Sequence, residues 1–348
     1  MYYPYFRILE NYPLRTRGIQ SLAKLFVVNK ELCALPNMGP QIETNIQQIS
    51  FLSFRAIACA LLVAHKKYFL IYSYAKGKAA PMKTILITGA AGSIGTYLRP
   101  ELKGKYSLRL SDCKIINTID KGESFMKADL TDLNSLCATV KGVHGILHYG
   151  GCAGEAPWET ILDANIIGIR NIFEAARICG VKRVVWASSN HAVGFYRRDE
   201  TIDHTVYPKP DSRYGVSKAF GEAMGSFYAD RYGLEVVNLR IGNVSVKPAD
   251  RRRLSIWISP RDLAQLCTIA LDHPDIQFET FYGVSNNARS WYDNRNAEAY
   301  GYRPQDQSEP HAEAVLNKEP NTDPNSAEEV YQGGTFVLSE NGRNPGPS

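Results

Sequence analysis

The sequence predicts an α/β fold built on a doubly wound parallel sheet, and three observations lead to this prediction. From Lys83 onward, short runs rich in β-branched residues alternate with segments of helical length. The segments between the runs are long enough for crossover helices, and a glycine-rich turn directly follows the first run. Strands joined in this way pair in parallel, with helices on both faces of the sheet.

The alternation assigns the strands and helices in order. Strands are predicted over residues 84–88, 107–111, 125–128, 145–149, 181–187 and 235–241. Helices are predicted from the glycine-rich turn to about residue 102, and over residues 132–140, 158–179 and 212–232. In the third helix, apolar residues recur at intervals of four and three, as on a helix with one buried face, at Leu162, Ile166, Ile169, Phe173 and Ala176. After about Lys247 the alternation ends, and residues 340–348 are predicted to form a flexible tail.

Composition excludes several classes of protein. A chain of 348 residues with 44% hydrophobic and 22% charged residues is typical of a globular protein. Its seven cysteines form no Cys-x-x-Cys pair and no metal-ligand spacing with histidine, which predicts no metal site and favours a reducing, cytoplasmic location. The longest uncharged apolar run near the N-terminus covers residues 56–64, whereas a membrane span needs roughly 20 residues. No membrane association is therefore predicted.

The positive charge of the chain lies in residues 1–81. That segment holds ten of the 40 Lys and Arg but three of the 35 Asp and Glu, so the rest of the chain is slightly acidic. The acidic remainder gives no reason to expect a nucleic-acid partner. Residues 1–81 themselves are compatible with a targeting peptide, a small accessory domain, or a disordered segment outside the catalytic fold. The last interpretation is favoured, with the functional unit beginning at Met82.

Three glycines follow the first strand in the pattern Gly-x-x-Gly-x-x-Gly, at Gly89, Gly92 and Gly95. The first permits a tight turn, the second lets backbone N–H groups approach a pyrophosphate, and the third allows a helix to pack closely on the strand. The backbone at Ser93 and Ile94 would then present unpaired N–H groups and the positive end of the helix dipole to the phosphates. With a strand before it and a helix after it, this turn predicts a Rossmann-type dinucleotide site.

Acidic residues end the second and third predicted strands. Asp112 comes 23 residues after Gly89, close to the roughly 20 expected of a ribose-binding carboxylate. A carboxylate there accepts hydrogen bonds from the ribose and repels a 2′-phosphate, so NAD is predicted in preference to NADP. The alternative for Asp112 is a surface acid at a strand end. Asp129 and Leu130 are placed to meet the adenine, although Asp129 is also compatible with a helix cap.

A tyrosine and a lysine lie four residues apart at Tyr214 and Lys218, on one face of a predicted helix. Two pairs with the same spacing occur within residues 72–78, so the spacing alone is weak evidence. Tyr214 and Lys218 are distinguished by their position on the helix that follows the fifth strand. Ser189, at the end of that strand, would hold a substrate oxygen. To act as a general base, the phenol must lower its pKa by about three units, or roughly 4 kcal/mol. A nearby ammonium and an oxidised nicotinamide are the available sources.

The glycine-rich turn, Asp112, Ser189 and the Tyr214–Lys218 pair together resemble the extended short-chain dehydrogenase/reductases over essentially all of residues 82–348. Within that group, and within its NAD-dependent epimerase/dehydratase family, more specific motifs are similar to those of uronate dehydrogenases. These motifs are Gly150-Gly151, Asn165-Ile166-Ile167-Gly168, Ser188-Ser189-Asn190-His191, Tyr214-Gly215-Val216-Ser217-Lys218, Arg240-Ile241-Gly242, Arg252 with Leu254-Ser255 and Trp257, Trp291-Tyr292-Asp293-Asn294, and Gln332-Gly333-Gly334-Thr335-Phe336.

The resemblance implies oxidation of a hexuronate, galacturonate or glucuronate, at C1 by NAD to give an aldarolactone. Tyr214 would take the anomeric hydroxyl proton, while Lys218 would hold the cofactor ribose and lower the tyrosine pKa. Sugar oxygens would be bound by Ser189, Asn190 and His191. Arg252 would pair with the C6 carboxylate, a task that suits the fork of a guanidinium.

The resemblance also implies a wider set of binding residues and a partner. Gly150, Gly151 and Asn243 would lie at the cofactor, and a small substrate-binding region would occupy about residues 243–336. The helices that carry Asn165 and Tyr214 would pair in a homo-oligomer.

Two positions depart from the family pattern. Ala153 stands where a substrate-binding serine is expected, which leaves the identity of the sugar open, and Asn243 replaces a serine near the cofactor. From the residues alone, His191 is equally compatible with a core histidine. Arg252 lies within three consecutive arginines and is compatible with a solvated basic turn.

Two other functions remain as alternatives on the same core. A nucleotide-sugar epimerase or dehydratase usually needs a larger C-terminal lobe than the roughly 100 residues that follow the last predicted strand. A non-catalytic NAD-binding sensor would have no need of the Tyr214, Lys218 and Ser189 set.

Overall fold

The computed structural model describes residues 82–318 and 322–339. In these residues the strands are β1 (Thr84–Thr88), β2 (Ser107–Asp112), β3 (Glu123–Lys127), β4 (Gly145–His148), β5 (Arg183–Ser189), β6 (Glu235–Ile241), β7 (Asn243–Val244), β8 (Trp257–Ile258) and β9 (Phe278–Gly283). Seven of them form a parallel sheet in the order β3-β2-β1-β4-β5-β6-β9, and β7 pairs with β8. The predicted parallel sheet is confirmed.

The same residues contain helices between and after the strands. They are α1 (Ser93–Leu102), α2 (Leu133–Val140), α3 (Trp158–Ile161), α4 (Gly168–Cys179), α5 (Arg213–Tyr232), α6 (Arg253–Ile256), α7 (Pro260–Asp272), α8 (Arg295–Ala299), α9 (Ala312–Leu316) and α10 (Ala327–Val330). A π-helical turn, Leu162–Ile167, joins α3 to α4, and 3₁₀ turns cover Asn190–Val193, Glu309–His311 and Gly334–Leu338. None of the helices described is both long and apolar enough to span a membrane.

Successive residues of the strands pack into two different cores. Ile85 and Ile87 of β1 join a cluster with α1 and α7, whereas Leu86 joins a cluster with α2, α4 and α5. This alternation follows from the two-residue period of a strand. It explains why the central strands are apolar throughout: both of their faces are covered by helices.

The expectation that the alternation ends after about Lys247 is wrong. Helix α7 begins at Pro260, with Ser259 as its cap, and leads into β9 at the edge of the sheet. The strand escaped prediction because Glu279 and Thr280 interrupt its apolar run. An edge strand tolerates such residues because it pairs on one side only.

Strand β5 also differs from the prediction in a way that bears on the site. It runs over Arg183–Ser189 rather than residues 181–187, so Ser189 is its last residue. Like the turns after β1, β2 and β4, Ser189 therefore lies at the carboxyl edge of the sheet, where ligands bind in such folds. The interpretations of residues 1–81 and 340–348 lie outside the described residues.

Candidate active site

The turn after β1 has the geometry of a dinucleotide cradle. Gly89 has φ +68°, and a Cβ on it would lie 2.5 Å from the backbone of the turn after β4. A Cβ on Gly95 would lie 2.6 Å from Ala90 Cα, so α1 packs closely against the turn. Gly92 and Ser93 are exposed, and no side chain caps the N-terminus of α1. The first backbone N–H groups of α1 therefore fit a pyrophosphate.

Asp112, at the end of β2, lies beside this turn. Its Oδ2 accepts a hydrogen bond from the Ala91 N–H at 3.0 Å, and its Oδ1 accepts one from the Lys114 N–H at 2.9 Å. Oδ1 also accepts a hydrogen bond from the Cys113 thiol at 3.6 Å. A carboxylate oxygen has about two acceptor positions, so Oδ2 keeps one for a ribose hydroxyl. The side chain of Ile94, by contrast, packs against the core, which leaves only its backbone for a ligand.

The turn after β4 is pressed between Leu130 and the π-helical turn. A Cβ on Gly150 would lie 3.1 Å from Leu130 Cδ1, and a Cβ on Gly151, which has φ +134°, would lie 2.7 Å from Asn165 Oδ1. Asn165 is buried and accepts a hydrogen bond from the Cys152 N–H at 2.8 Å. Its amide also donates to Ser217 Oγ of α5 at 3.0 Å. Asn165 therefore ties this turn to α5, the helix that carries Tyr214 and Lys218.

Asp129 is exposed after β3 and interacts with its own loop. It accepts hydrogen bonds from the backbone N–H and the hydroxyl of Thr131, and these bonds lower the pKa of its carboxyl. The helix-cap alternative for Asp129 is wrong, because Asp132 caps α2.

Tyr214 and Lys218 lie in the first two turns of α5, and both side chains are buried. Lys218 Nζ lies 5.2 Å from the centre of the Tyr214 ring and donates to the Ala187 carbonyl at 2.7 Å. Ser189, at the end of β5, lies close enough to the Tyr214 phenol to lower its pKa. The structure thus brings together the three residues predicted to be catalytic.

Helix α5 reaches this position because Gly215 has no side chain. A Cβ there would lie 2.4 Å from the carbonyl oxygen of His191, which follows β5. The N-terminus of α5 is capped by Ser212, whose hydroxyl accepts the Gly215 N–H at 3.0 Å. The glycine of the Tyr-Gly-x-x-Lys segment, Gly215, therefore sets the approach of Tyr214 to Ser189.

Taken together, the protein's own residues raise the pKa of the Tyr214 phenol rather than lower it. Burial raises that pKa to about 12, and Ser189 opposes the rise only in part. Burial also lowers the pKa of Lys218 to about 8, because a charged ammonium is poorly solvated there. A further positive charge at the site would favour the phenolate.

His191 is buried and held by an acid and an aromatic ring. Its Nδ1 lies 2.7 Å from Oδ2 of Asp211, and its ring stacks on Phe336 with 3.8 Å between centres. The ring also meets the edge of Tyr214, with 5.8 Å between centres. Burial lowers the pKa of His191, while Asp211 opposes that shift.

Arg252 is directed into the protein rather than along a solvated turn. Its Nε donates to the Gln332 carbonyl at 2.8 Å. With the Asn190 amide oriented to satisfy both of its groups, Arg252 Nη2 donates to the Asn190 oxygen at 2.7 Å, and the amide nitrogen donates to the Ile241 carbonyl. Burial lowers the pKa of Arg252. Its neighbour Arg253 instead forms an ion pair with Asp250.

The C-terminal motif closes over these residues. A Cβ on Gly333 would lie 2.1 Å from Asp211 Oδ2, and one on Gly334, which has φ +63°, would lie 2.5 Å from Arg252 Cδ. Phe336 of the same motif stacks on His191. The two glycines thus make room for the acid and the arginine of the site.

Within the described residues, two of the positions singled out from the sequence form no hydrogen bond with this cluster, and one residue that does was not predicted. Asn243, beyond β6, accepts a hydrogen bond from the Ser245 hydroxyl at 3.1 Å, and Ala153 is exposed in the turn after β4. Glu155 escaped prediction, although its Oε2 accepts the backbone N–H of Tyr214 at 2.9 Å. Its position in a Gly- and Pro-containing loop gives no periodic signal from which this contact is predictable.

Comparison with known proteins identifies relatives. A family model described as the NAD dependent epimerase/dehydratase family matches residues 85–260. The chain is 46% identical over 261 residues to the uronate dehydrogenase of Pseudomonas syringae pv. tomato, an alignment that covers 74% of this chain and 94% of that protein.

Solved structures show the same relationship. The glucuronic acid dehydrogenase from Chromohalobacter salexigens is 40% identical with a TM-score of 0.73, covering 75% of this chain and 98% of that one. A tyrosine-to-alanine mutant of the uronate dehydrogenase from Agrobacterium tumefaciens, complexed with NAD, is 38% identical with a TM-score of 0.72. That match covers 74% of this chain and 98% of the other.

Proposed function

The chain belongs to the NAD-dependent epimerase/dehydratase family, and from this premise we propose that it oxidises a hexuronate at C1 with NAD. The C1 hydroxyl loses its proton and C1 loses a hydride, which gives the aldarolactone. The identity to uronate dehydrogenases, 46% in one case, supports this reaction class. The TM-score of 0.73 to a glucuronic acid dehydrogenase supports the same assignment at the level of the fold.

One arrangement carries the proposal: a half-buried arginine beside the proposed catalytic residues, whose hydrogen-bond partners in the described part of the chain are neutral. The Gln332 carbonyl and the Asn190 amide bind Arg252 without balancing its charge. Asn190 follows Ser189 directly, so the arginine is joined through one residue to the serine that contacts Tyr214. A half-buried guanidinium that forms no ion pair among the described residues, and on which the Asp211 carboxylate acts only through space, suits an anionic substrate.

The proposed roles follow from these contacts. Tyr214 receives the proton of the C1 hydroxyl, and Ser189, close to the same phenol, orients the oxygen that loses it. Asn190 and His191 hold sugar hydroxyls, and Arg252 holds the C6 carboxylate through its guanidinium fork. The ammonium of Lys218 has two hydrogens left after its bond to Ala187 and binds a ribose hydroxyl.

The residues at the carboxyl edge fit NAD. The uncapped start of α1, with Gly89, Gly92 and Gly95, holds the pyrophosphate, and Asp112 holds the adenosine ribose. Leu130, Gly150 and Gly151 line the cofactor, with Asp129 toward the adenine and Asn243 beyond β6. When bound, the oxidised nicotinamide accepts the hydride. Its positive charge is also what the buried Tyr214 needs to lower its pKa.

Replacement of Arg252 by methionine tests the assignment of the carboxylate. We expect R252M to lower kcat/KM for D-galacturonate or D-glucuronate by about 10- to 100-fold, the value of a charge-assisted hydrogen bond. Activity on the matching neutral hexose, with a hydroxyl at C6, should stay within about threefold, because that substrate never used the charge. R253M, which removes the arginine paired with Asp250, serves as the matched control. Equal losses on both substrates would contradict the proposal.

We further propose a cytoplasmic homo-oligomer. Five cysteines in the described residues are unpaired, which suits a reducing compartment. Large apolar side chains are exposed along α3 to α5, at Trp158, Ile167, Val216, Phe227 and Tyr232. Such residues favour pairing of these helices between two copies of the chain. Light scattering after size exclusion tests the oligomer, and a monomer at micromolar concentration would contradict it.

A further inference from the structure

Asp211 is a fully buried acid whose purpose the reaction itself does not explain. Its side chain is 0% exposed, although an isolated buried carboxylate is strongly unfavourable. One oxygen accepts the Ser212 hydroxyl at 2.8 Å, and the other lies 2.7 Å from His191 Nδ1. The carboxylate is therefore committed to the histidine and to the cap of α5.

The backbone around Asp211 is built to admit this carboxylate. A Cβ on Gly194 would lie 1.8 Å from Oδ2, and a Cβ on Gly333 would lie 2.1 Å from the same atom. The two glycines are joined to each other, since Gly333 N–H donates to the Gly194 carbonyl at 2.8 Å. Two segments far apart in sequence thus meet around one oxygen, the one that contacts His191.

The ring of His191 is fixed in orientation. Phe336 covers one face with 3.8 Å between ring centres, and Asp211 fixes the Nδ1 edge. In the part of the chain that the structure describes, Nε2 has no hydrogen-bond partner. The ring is neutral near pH 7, because burial lowers its pKa, so a single proton must lie on one of its nitrogens.

We propose that Asp211 is a positioning residue that holds the His191 proton on Nδ1 and leaves the Nε2 lone pair to accept a substrate hydroxyl. An ionised carboxylate only accepts hydrogen bonds, so the other tautomer would set two acceptors against each other at 2.7 Å. The inference rests on the proposed function, because it names the hydroxyl-binding side of that same sugar site. It adds that His191 is an acceptor there, which selects a substrate carbon that bears a free O–H.

The tautomer is measurable without any substrate. Nitrogen-15 NMR of the full chain with labelled histidine, with the His191 signal assigned by its loss in H191Q, reports which nitrogen carries the proton. We expect the Nδ1–H form in the native chain. A native Nε2–H form would overturn the proposal, whether or not the protein oxidises hexuronates. In D211N, whose amide can donate as well as accept, we expect the Nε2–H form to appear.

A double-mutant cycle then tests the consequence for binding. We expect D211N to raise KM for the hexuronate about tenfold with a smaller change in kcat, since one hydrogen bond to a hydroxyl is lost. H191Q places an amide near the position of Nε2 and has no tautomer to fix. In that background the effect of D211N should shrink to less than about threefold. Equal effects in both backgrounds would show a purely structural role and overturn the proposal.

Asp262 provides the matched control for loss of a buried charge. Its side chain is also buried, and its oxygens accept hydrogen bonds from Ser285 and from the backbone of Gln305 and Asp306. D262N should lower thermal stability while leaving the His191 tautomer and KM unchanged. A KM increase in D262N equal to that in D211N would count against a specific link between Asp211 and His191.

Discussion

At the scale of single residues, Lys218 opposes stability while it serves the site. Burial lowers its pKa from 10.5 to about 8, so at pH 7 the fold must bury a charged ammonium. Between pH 8 and 10.5 the unfolded chain still holds a proton that the folded chain has lost. Stability therefore rises with pH across that window, and below it the penalty is present in full.

Replacement of Lys218 by methionine tests this sign. At pH 7 we expect the free energy of unfolding of K218M to exceed that of the native chain by about 1–3 kcal/mol. The loss of the hydrogen bond from Lys218 to the Ala187 carbonyl reduces this difference. The difference should shrink between pH 8 and pH 10. Urea unfolding at several pH values measures it, with K127M, at an exposed lysine, as the control. A K218M protein less stable than the native chain at pH 7 would contradict the account.

Sequence predicted the residues that act through a fixed spacing and missed those that act through burial. Tyr214, Lys218 and Ser189 were predicted to lie together, and they do, because the order of strands and helices brings them to one edge. Asp211 and Glu155 were missed, because a buried acid and a surface acid look alike in sequence. The lowered phenol pKa was expected from the Lys218 ammonium and an oxidised nicotinamide together, whereas in the chain alone burial raises that pKa to about 12.

At the scale of elements, the approach of α5 to the end of β5 decides whether the site forms. The absence of a Cβ on Gly215 lets the helix start against the His191 carbonyl. We expect G215A to lose about 1–3 kcal/mol of stability and at least tenfold in kcat, because the helix must move away from Ser189. Chemical unfolding and steady-state kinetics measure the two effects.

Another residue of α5 gives the control for that substitution. Ala223 is exposed about two turns farther along the helix, so A223S changes the helix without touching the contact. This substitution should leave kcat unchanged and alter the free energy of unfolding by no more than about 0.5 kcal/mol. A G215A protein with native kinetics would show that the close approach of α5 is not needed.

Elements were predicted best where both faces are buried. Strands β1, β4, β5 and β6 read as apolar runs, since helices cover them on each side. Edge strand β9 and the short elements after it were missed because their sequences follow no such period. The π-helical turn was also missed, because the apolar residues around it keep the spacing of an ordinary α-helix. Asn165 lies in this turn, and its side chain reaches the turn after β4.

At the scale of the whole molecule, the residues predicted to bind and react lie along one edge of a single parallel sheet. The resemblance drawn from the glycine turn, Asp112 and the Ser-Ser-Asn-His motif is confirmed by the family match over residues 85–260. The roles of individual residues, and the part played by residues 1–81, stay predictions. What sequence could not supply is the closure of the C-terminal motif over His191 and Arg252, since those contacts join residues 80 or more positions apart.

Nicotinamide absorbance with the full chain tests the central claim most directly. We predict rapid reduction of NAD by D-galacturonate or D-glucuronate, far slower reduction of NADP, and little activity with neutral hexoses. Y214F should be slower by about 10²- to 10⁴-fold, the usual contribution of a general base. Y228F removes another phenol of α5, one that donates a hydrogen bond to Glu174 of α4, and should keep native activity. A folded protein that binds NAD but reduces none with either hexuronate would contradict the account.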